Sequence, residues 1–326
     1  MNPRASRKLV LFGFLAVAMV LTSRLYAQHM TLEGQTGGFL TPTAYVVESE
    51  KGHVLSYPAI GFHFVNTAKV IGNVETVSIT EGFANRAEIG YTRSIHQLGD
   101  STVPAEGAFS NLWNYDGMNV FHGKVVLIKD AQFAKWVPGV AVGGVVRTGD
   151  KFVSGALNQE LFGVLKTYSN GDVYAALTKT WAKKPVPFLV NFGLKFTNAS
   201  IYGLGGQSTR FGGRLFGGIG IPLPGPWKTV IVPSAGFTQQ PKNAVNLGAI
   251  MPFTGAHIPT TLDYAVRVTQ REHPHFSFDI GVGQVAGTIG TAVIPTGLPS
   301  PYPPYLFIPV NLQARHVVGM GVAWRY

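Results

Sequence analysis

A chain of 326 residues is long enough for two soluble domains or for one large β-architecture. Charged residues make up 13%, half the ~25% of an ordinary soluble domain, while glycine (40 residues) and aromatics (12%) are abundant. That balance excludes a disordered chain and a charge-rich coiled coil and argues against a cytosolic enzyme, and the absence of cysteine excludes disulfides, thiolate chemistry and Cys-ligated metal centres.

Residues 1–27 place Arg4, Arg7 and Lys8 before a run of 13 apolar or small residues at 9–21, and end on Leu25-Tyr26-Ala27. A basic start, a short apolar stretch and a small residue before polar Gln28 describe a secretory signal peptide, cleaved on export. The run falls short of the ~20 residues a helix needs to cross a bilayer. Removing it takes the formal net charge from +10 to +6, spread along the chain without a Lys/Arg block. Nucleic acid is therefore not an expected partner.

Segment 28–52 carries Gly37, Gly38 and Pro42 ahead of the first regular pattern. It reads either as a periplasmic leader or as a plug folded into the interior of the remaining chain. From residue 53 onward apolar residues recur at every second position, which predicts strands at 53–65, 74–81, 86–95, 119–129, 137–147, 172–181, 188–197, 212–221 and 228–237. Further strands are predicted at 243–251, 260–270, 275–285, 305–313 and 316–326, with Pro-rich 286–304 as a loop. In 188–197, Phe188, Val190, Phe192, Leu194 and Phe196 share one face, and Asn191, Gly193, Lys195 and Thr197 the other.

A strand buried on one face gives this pattern in any antiparallel sheet. Three details favour lipid on the apolar side. The opposite face is rich in Gly, Ala, Ser and Thr, as a crowded barrel interior requires. Trp136, Trp181, Trp227 and Trp324 fall near strand ends, where an interfacial girdle would stand. Connections are short at 82–85, 130–136, 182–187 and 222–227 but long at 96–118 and 148–171, the rhythm of periplasmic turns and external loops. The expected fold is all-β: a transmembrane antiparallel up-and-down β-barrel of 12–14 strands over 53–326, integral to a bacterial outer membrane and in contact with its lipid.

The last eleven residues carry the most specific pattern, with Val318, Met320, Val322, Trp324 and Tyr326 alternating with small or polar residues. This resembles the terminal signal of bacterial outer-membrane barrels, which implies recognition by the barrel-assembly machinery. Physically it is a closing strand with a lipid face and an aromatic at the periplasmic interface. Residues 33–45, EGQTGGFLTPTAY, and 78–94, SITEGFANRAEIGYTRS, resemble the opening and a hairpin of Gram-negative outer-membrane barrel families. The first match rests on Gly38, Pro42, Thr43 and Ala44, the second on Arg86, Glu88, Gly90 and Tyr91. One such group is linked to exopolysaccharide production and others are families of unknown function. The resemblance implies the fold and assigns no catalytic residue.

The inward face supplies the candidate site residues, lining a lumen: Glu88, His122, Lys124, Asn191, Lys195, Asp263, Arg267 and Asp279. Their mixed signs fit a water-filled lumen or one closed by internal ion pairs. Gly281-Val-Gly283-Gln-Val-Ala286 matches a dinucleotide fingerprint, but the glycines and prolines after it do not open the helix that would hold a pyrophosphate. His273 and His275 alternate, with His257 nearby, without an evident third metal ligand. His122, Ser277 and Asp279 are the residue types of an outer-membrane lipase or protease, yet the sequence does not bring them together. The reading is a non-enzymatic barrel without a cofactor: a passive or export-associated channel for small solutes, lipids or polysaccharide, with periplasmic export components as candidate partners. The alternative is a scaffolding barrel of the envelope with a blocked lumen, and a lipid- or peptide-modifying enzyme comes third.

Overall fold

A computed structural model of the chain describes residues 29–66, 73–97, 117–149, 169–181, 186–199, 201–203, 207–241, 260–270, 275–285, 288–295, 301, 305–311 and 315–325. The expected signal peptide, the strand at 243–251, Tyr326, His257 and His273 lie outside the described residues.

In chain order the strands are β1 (Ala59–Asn66), β2 (Asn73–Phe83), β3 (Ala87–Gln97), β4 (Gly117–Ile128), β5 (Gly139–Gly149), β6 (Ser169–Trp181), β7 (Phe188–Ala199) and β8 (Gln207–Gly220). A two-residue break separates β8 from the short β9 (Leu223–Pro224), which extends the same edge. Then come β10 (Thr229–Thr238), β11 (Thr261–Gln270), β12 (Phe276–Val285), β13 (Thr288–Pro295), β14 (Tyr305–Asn311) and β15 (Arg315–Arg325). Twelve of these form a closed antiparallel barrel: β1–β8, β10–β12 and β15. Closure comes from β15, which pairs with β12 on one side and with β1 on the other, from Ala59↔Arg325 to Asn66↔Val318. A barrel is the sheet that leaves no unpaired edge in hydrocarbon.

Three expectations are corrected. Residues 305–313 do not add a wall strand, and 286–304 is not all loop: β13 and β14 pair with each other in a separate hairpin. An apolar run signals a strand without saying which sheet it joins. The wall also starts at Ala59 rather than at residue 53. Between β2 and β3 the turn is tight, with Ala84 and Asn85 in the left-handed region (φ 51° and 55°) and Arg86 N donating to Phe83 O at 2.8 Å. Positive φ at both central residues marks a primed turn, here within a three-residue connection between Phe83 and Ala87.

Outward positions are apolar around the wall: Ile60 and Phe62 on β1, Val77 and Ile79 on β2, Phe192, Leu194 and Phe196 on β7, Val318, Met320 and Trp324 on β15. In water rather than lipid, each such side chain would cost about 1.5–3 kcal/mol. No described helix is long and apolar enough to cross a membrane; the crossing elements are strands. Trp136 and Trp227 are exposed in the short turns, and Trp181 stacks on Phe188 at 4.7 Å where β6 meets β7.

The core of the molecule sits inside the barrel. Residues 29–47 are buried or half-buried throughout. Leu32, Phe39 and Leu40 from this segment join Met118, Val120, Val145, Tyr174, Phe216 and Ala265 of the wall in one apolar cluster. The segment folds back twice on itself, through the bridges Met30↔Thr36 and Gly37↔Pro42, with Gly34 taking the positive φ (83°) that the first turn needs.

Candidate functional site

Alternation along each strand turns every second residue into the lumen, and there the polar ones meet the inner segment. On β3 and β4, Glu88 pairs with Lys124 at 3.0 Å. The Glu88 carboxylate also accepts from Thr36 N (3.0 Å), Thr36 Oγ1 (2.6 Å) and Val47 N (3.1 Å), and Lys124 Nζ donates to Thr36 O at 2.8 Å. On β5 and β6, Arg147 donates to Glu33 and to Asp172 (2.7 Å), while Thr197 of β7 donates to Asp172. On β11 and β12, Arg267 donates to both Asp279 oxygens at 3.1 and 3.4 Å and to Gly37 O at 3.3 Å, and His29 stands against Asp279.

The exit of the segment is tied at the short-turn end. Tyr45 OH meets Asp130 (3.1 Å) and Thr180 (2.6 Å), Lys179 pairs with Asp130 at 2.6 Å, and Ala44 N donates to Thr178 Oγ1 at 2.7 Å. Two wall hydroxyls satisfy backbone carbonyls of the segment, Thr80 that of Gly34 (2.7 Å) and Thr92 that of Glu33 (2.9 Å). A buried backbone group without a partner is costly, so these contacts keep an irregular segment stable in a dry interior.

All eight lumen candidates from the sequence are buried. The structure joins Glu88 with Lys124 and Arg267 with Asp279. Asn191 accepts from Thr178 and donates to Pro42 O at 2.9 Å; Lys195 stands over the Tyr202 ring, 4.8 Å from its centre; His122 lies 3.2 Å from Thr80 Oγ1. Asp263 keeps a buried Oδ1 without a hydrogen-bond partner. His122 lies five strands round the wall from Ser277 and Asp279, so those three do not form one constellation. Gly281 and Gly283 lie within β12, and the next element is a strand, not a helix.

Sequence reasoning misses Glu33, Arg147 and Asp172. Arg147 and Asp172 occupy inward positions of predicted strands, so the alternation itself is a signal that could have found them. Nothing local marks Glu33. Among the described residues no group of three His, Asp or Glu is placed to hold a metal ion.

A cavity of about 50 Å³ lies between Gly37–Thr43 and the wall of β7, β8, β10 and β11, bordered by Asn191, Gly218, Ser234, Gly236, Asp263 and Arg267. A second, of about 10 Å³, lies by Asp172, Lys195 and Tyr202.

A family model described as protein of unknown function, DUF3034, matches residues 27–214, more than half of the chain. The chain belongs to the DUF3034 family. The DUF3034 match takes in the inner segment and its partners on β3–β6, and stops before Asp263, Arg267 and Asp279. None of the curated proteins matches the chain. Among solved structures, the KdgM porin is similar over 82% of this chain and 99% of its own, at 11% identity and TM-score 0.43. The NanC porin is similar over 82% and 100%, at 7% identity and TM-score 0.45. Wzi of Escherichia coli, described as a carbohydrate-binding β-barrel involved in group 1 capsule assembly, is similar over 82% and 55%, at 10% identity and TM-score 0.27.

Proposed function

We propose that this protein is an outer-membrane channel whose lumen is closed by residues 29–47 of its own chain. The observation that carries this reading is that the segment is held by polar and ionic contacts, which water can replace when it shifts, across a lumen lined by Glu88, Lys124, Arg147, Asp172, Arg267 and Asp279. The export signal and the aromatic-ended closing strand support an outer-membrane location, with delivery by the barrel-assembly machinery. Small solutes are the cargo; export of polysaccharide or lipid would call for periplasmic partners. The apolar contacts of Leu32, Phe39 and Leu40 favour a second reading, a scaffold shut for good. Planar-bilayer recording separates the two. The channel reading expects small intermittent currents from the full-length protein and large steady ones after deletion of 29–47. Silence from both overturns it and leaves the scaffold.

A further inference from the structure

We propose that solute crosses with the inner segment still in place, along the side of the lumen formed by β7, β8, β10 and β11, and that Asp263 makes this route prefer small cations. The inference rests on the channel reading above and adds a route and a solute class to it.

Attachment of the segment is uneven. Its ion pairs and charged hydrogen bonds go to β3–β5 and to β11–β12. Among the described residues no ion pair joins it to β7, β8 or β10, where Asn191 holds Pro42 O by a neutral hydrogen bond. On that side the segment is held by apolar packing, on Phe216 of β8 and on Leu189, rather than by charge.

Part of the wall there is bare: Gly218 faces Gly236 in register and Gly220 faces Ser234, so at these four positions nothing larger than a serine points inward. These positions border the cavity of about 50 Å³. It reaches across four strands, from Leu189 and Asn191 of β7 to Asp263 and Arg267 of β11. A solute would enter the lumen wall here. At Gly236 even a methyl group would stand 2.6 Å from Asp263 Oδ1, so glycine is what admits the carboxylate.

Two charged side chains line the gap. Arg267 is already committed to Asp279 and to Gly37 O. Asp263 has a buried carboxylate oxygen with no partner. When ionised, Asp263 puts an uncompensated negative charge on the route, which lowers the energy of a passing cation and raises that of an anion.

The test uses full-length protein in planar bilayers under a potassium chloride gradient. Asp263→Asn should move the reversal potential toward zero, with loss of cation preference. Glu81→Gln, which removes a carboxylate at an outward position of β2, should leave it unchanged. The chain has no cysteine, so Ser234→Cys adds a single thiol to the gap. A cationic methanethiosulfonate reagent should then block the current. An unchanged reversal potential in Asp263→Asn, or an unblocked current in Ser234→Cys, overturns the route while the channel reading stands. Current from the 29–47 deletion with none from the full-length protein does the same. If Asp263→Asn does not fold, the Ser234→Cys result decides. Silence of full-length and deleted proteins removes the channel reading itself.

Discussion

Arg147 on β5 donates from Nε and Nη2 to the two carboxylate oxygens of Glu33, 114 residues earlier in the chain, at 2.5 and 2.8 Å. Nη2 also reaches Asp172, so one guanidinium serves two carboxylates in a dry interior. Removing it leaves both buried anions without their hydrogen-bonded cation, with only the Lys195 ammonium nearby. Arg147→Met is expected to destabilise the barrel by about 3–5 kcal/mol and to expose segment 29–47 to protease. Arg147→Lys should fall between, because an ammonium cannot hold a carboxylate with two parallel donors. Urea titration read by heat-modifiable gel mobility checks the first effect, and limited proteolysis the second.

Glu88 and Lys124 allow a cleaner separation of charge from packing. Glu88→Gln keeps the shape and can still accept from Thr36, but strands the Lys124 ammonium, which is fully buried. Each single change, Glu88→Gln or Lys124→Met, should cost about 3–5 kcal/mol, and the double variant much less than their sum. Because the pair is shielded from solvent, the loss should barely depend on ionic strength. A double-mutant cycle at low and high salt measures both; additive losses would show that the pair is not coupled.

The wall was legible in the sequence because lipid on one side and a filled lumen on the other force period two, as Phe192 out and Asn191 in illustrate on β7. The same pattern pointed Glu88, Lys124 and Asp279 inward. It could not say what they meet. Glu33 lies in an irregular segment whose partners are distant in sequence, and no local periodicity encodes a contact over 114 residues. The β13–β14 hairpin failed for a related reason, since Pro295 and neighbouring glycines mask β13 while β14 is an apolar run that does not say which sheet it joins.

Gly82, near the end of β2, marks a point where the backbone of the chain after the inner segment's turns passes close to the wall. A Cβ there would lie 1.9 Å from the backbone oxygen of Val47, and Gly82 N already donates to Ser56 Oγ at 2.7 Å. Backbone cannot swing aside as a side chain can. Gly82→Ala should therefore push the exit of the segment off the wall, with more frequent channel openings and faster proteolysis near residue 47. Gly123→Ala is the control, because its Cβ would meet nothing nearer than Glu88 O at 3.7 Å. Equal behaviour of the two variants would show that the exit does not govern closure.

The closing strand offers the sharpest test of how the barrel sits in the membrane. Val322 on β15 is opposite Phe62 of β1 and Phe278 of β12, within a lipid face that continues through Val318, Met320 and Trp324. Val322→Arg puts a charge into that face, at roughly 2–4 kcal/mol near the midplane and less toward the interface. The neighbouring inward position behaves differently: at Gly321 a Cβ would stand 2.4 Å from the His63 ring, so Gly321→Val should fail through crowding rather than through charge. Transfer from detergent to a thinner bilayer should ease the first defect and leave the second, since only the first depends on depth in hydrocarbon. Deletion of Tyr326 is expected to slow assembly while leaving the finished barrel about as stable as before. Membrane integration at low expression, followed over time by heat-modifiable mobility, distinguishes a slow folder from an unstable one. Normal folding of a Val322→Arg variant that also lacks Tyr326 would mean that this strand does not close the barrel against lipid.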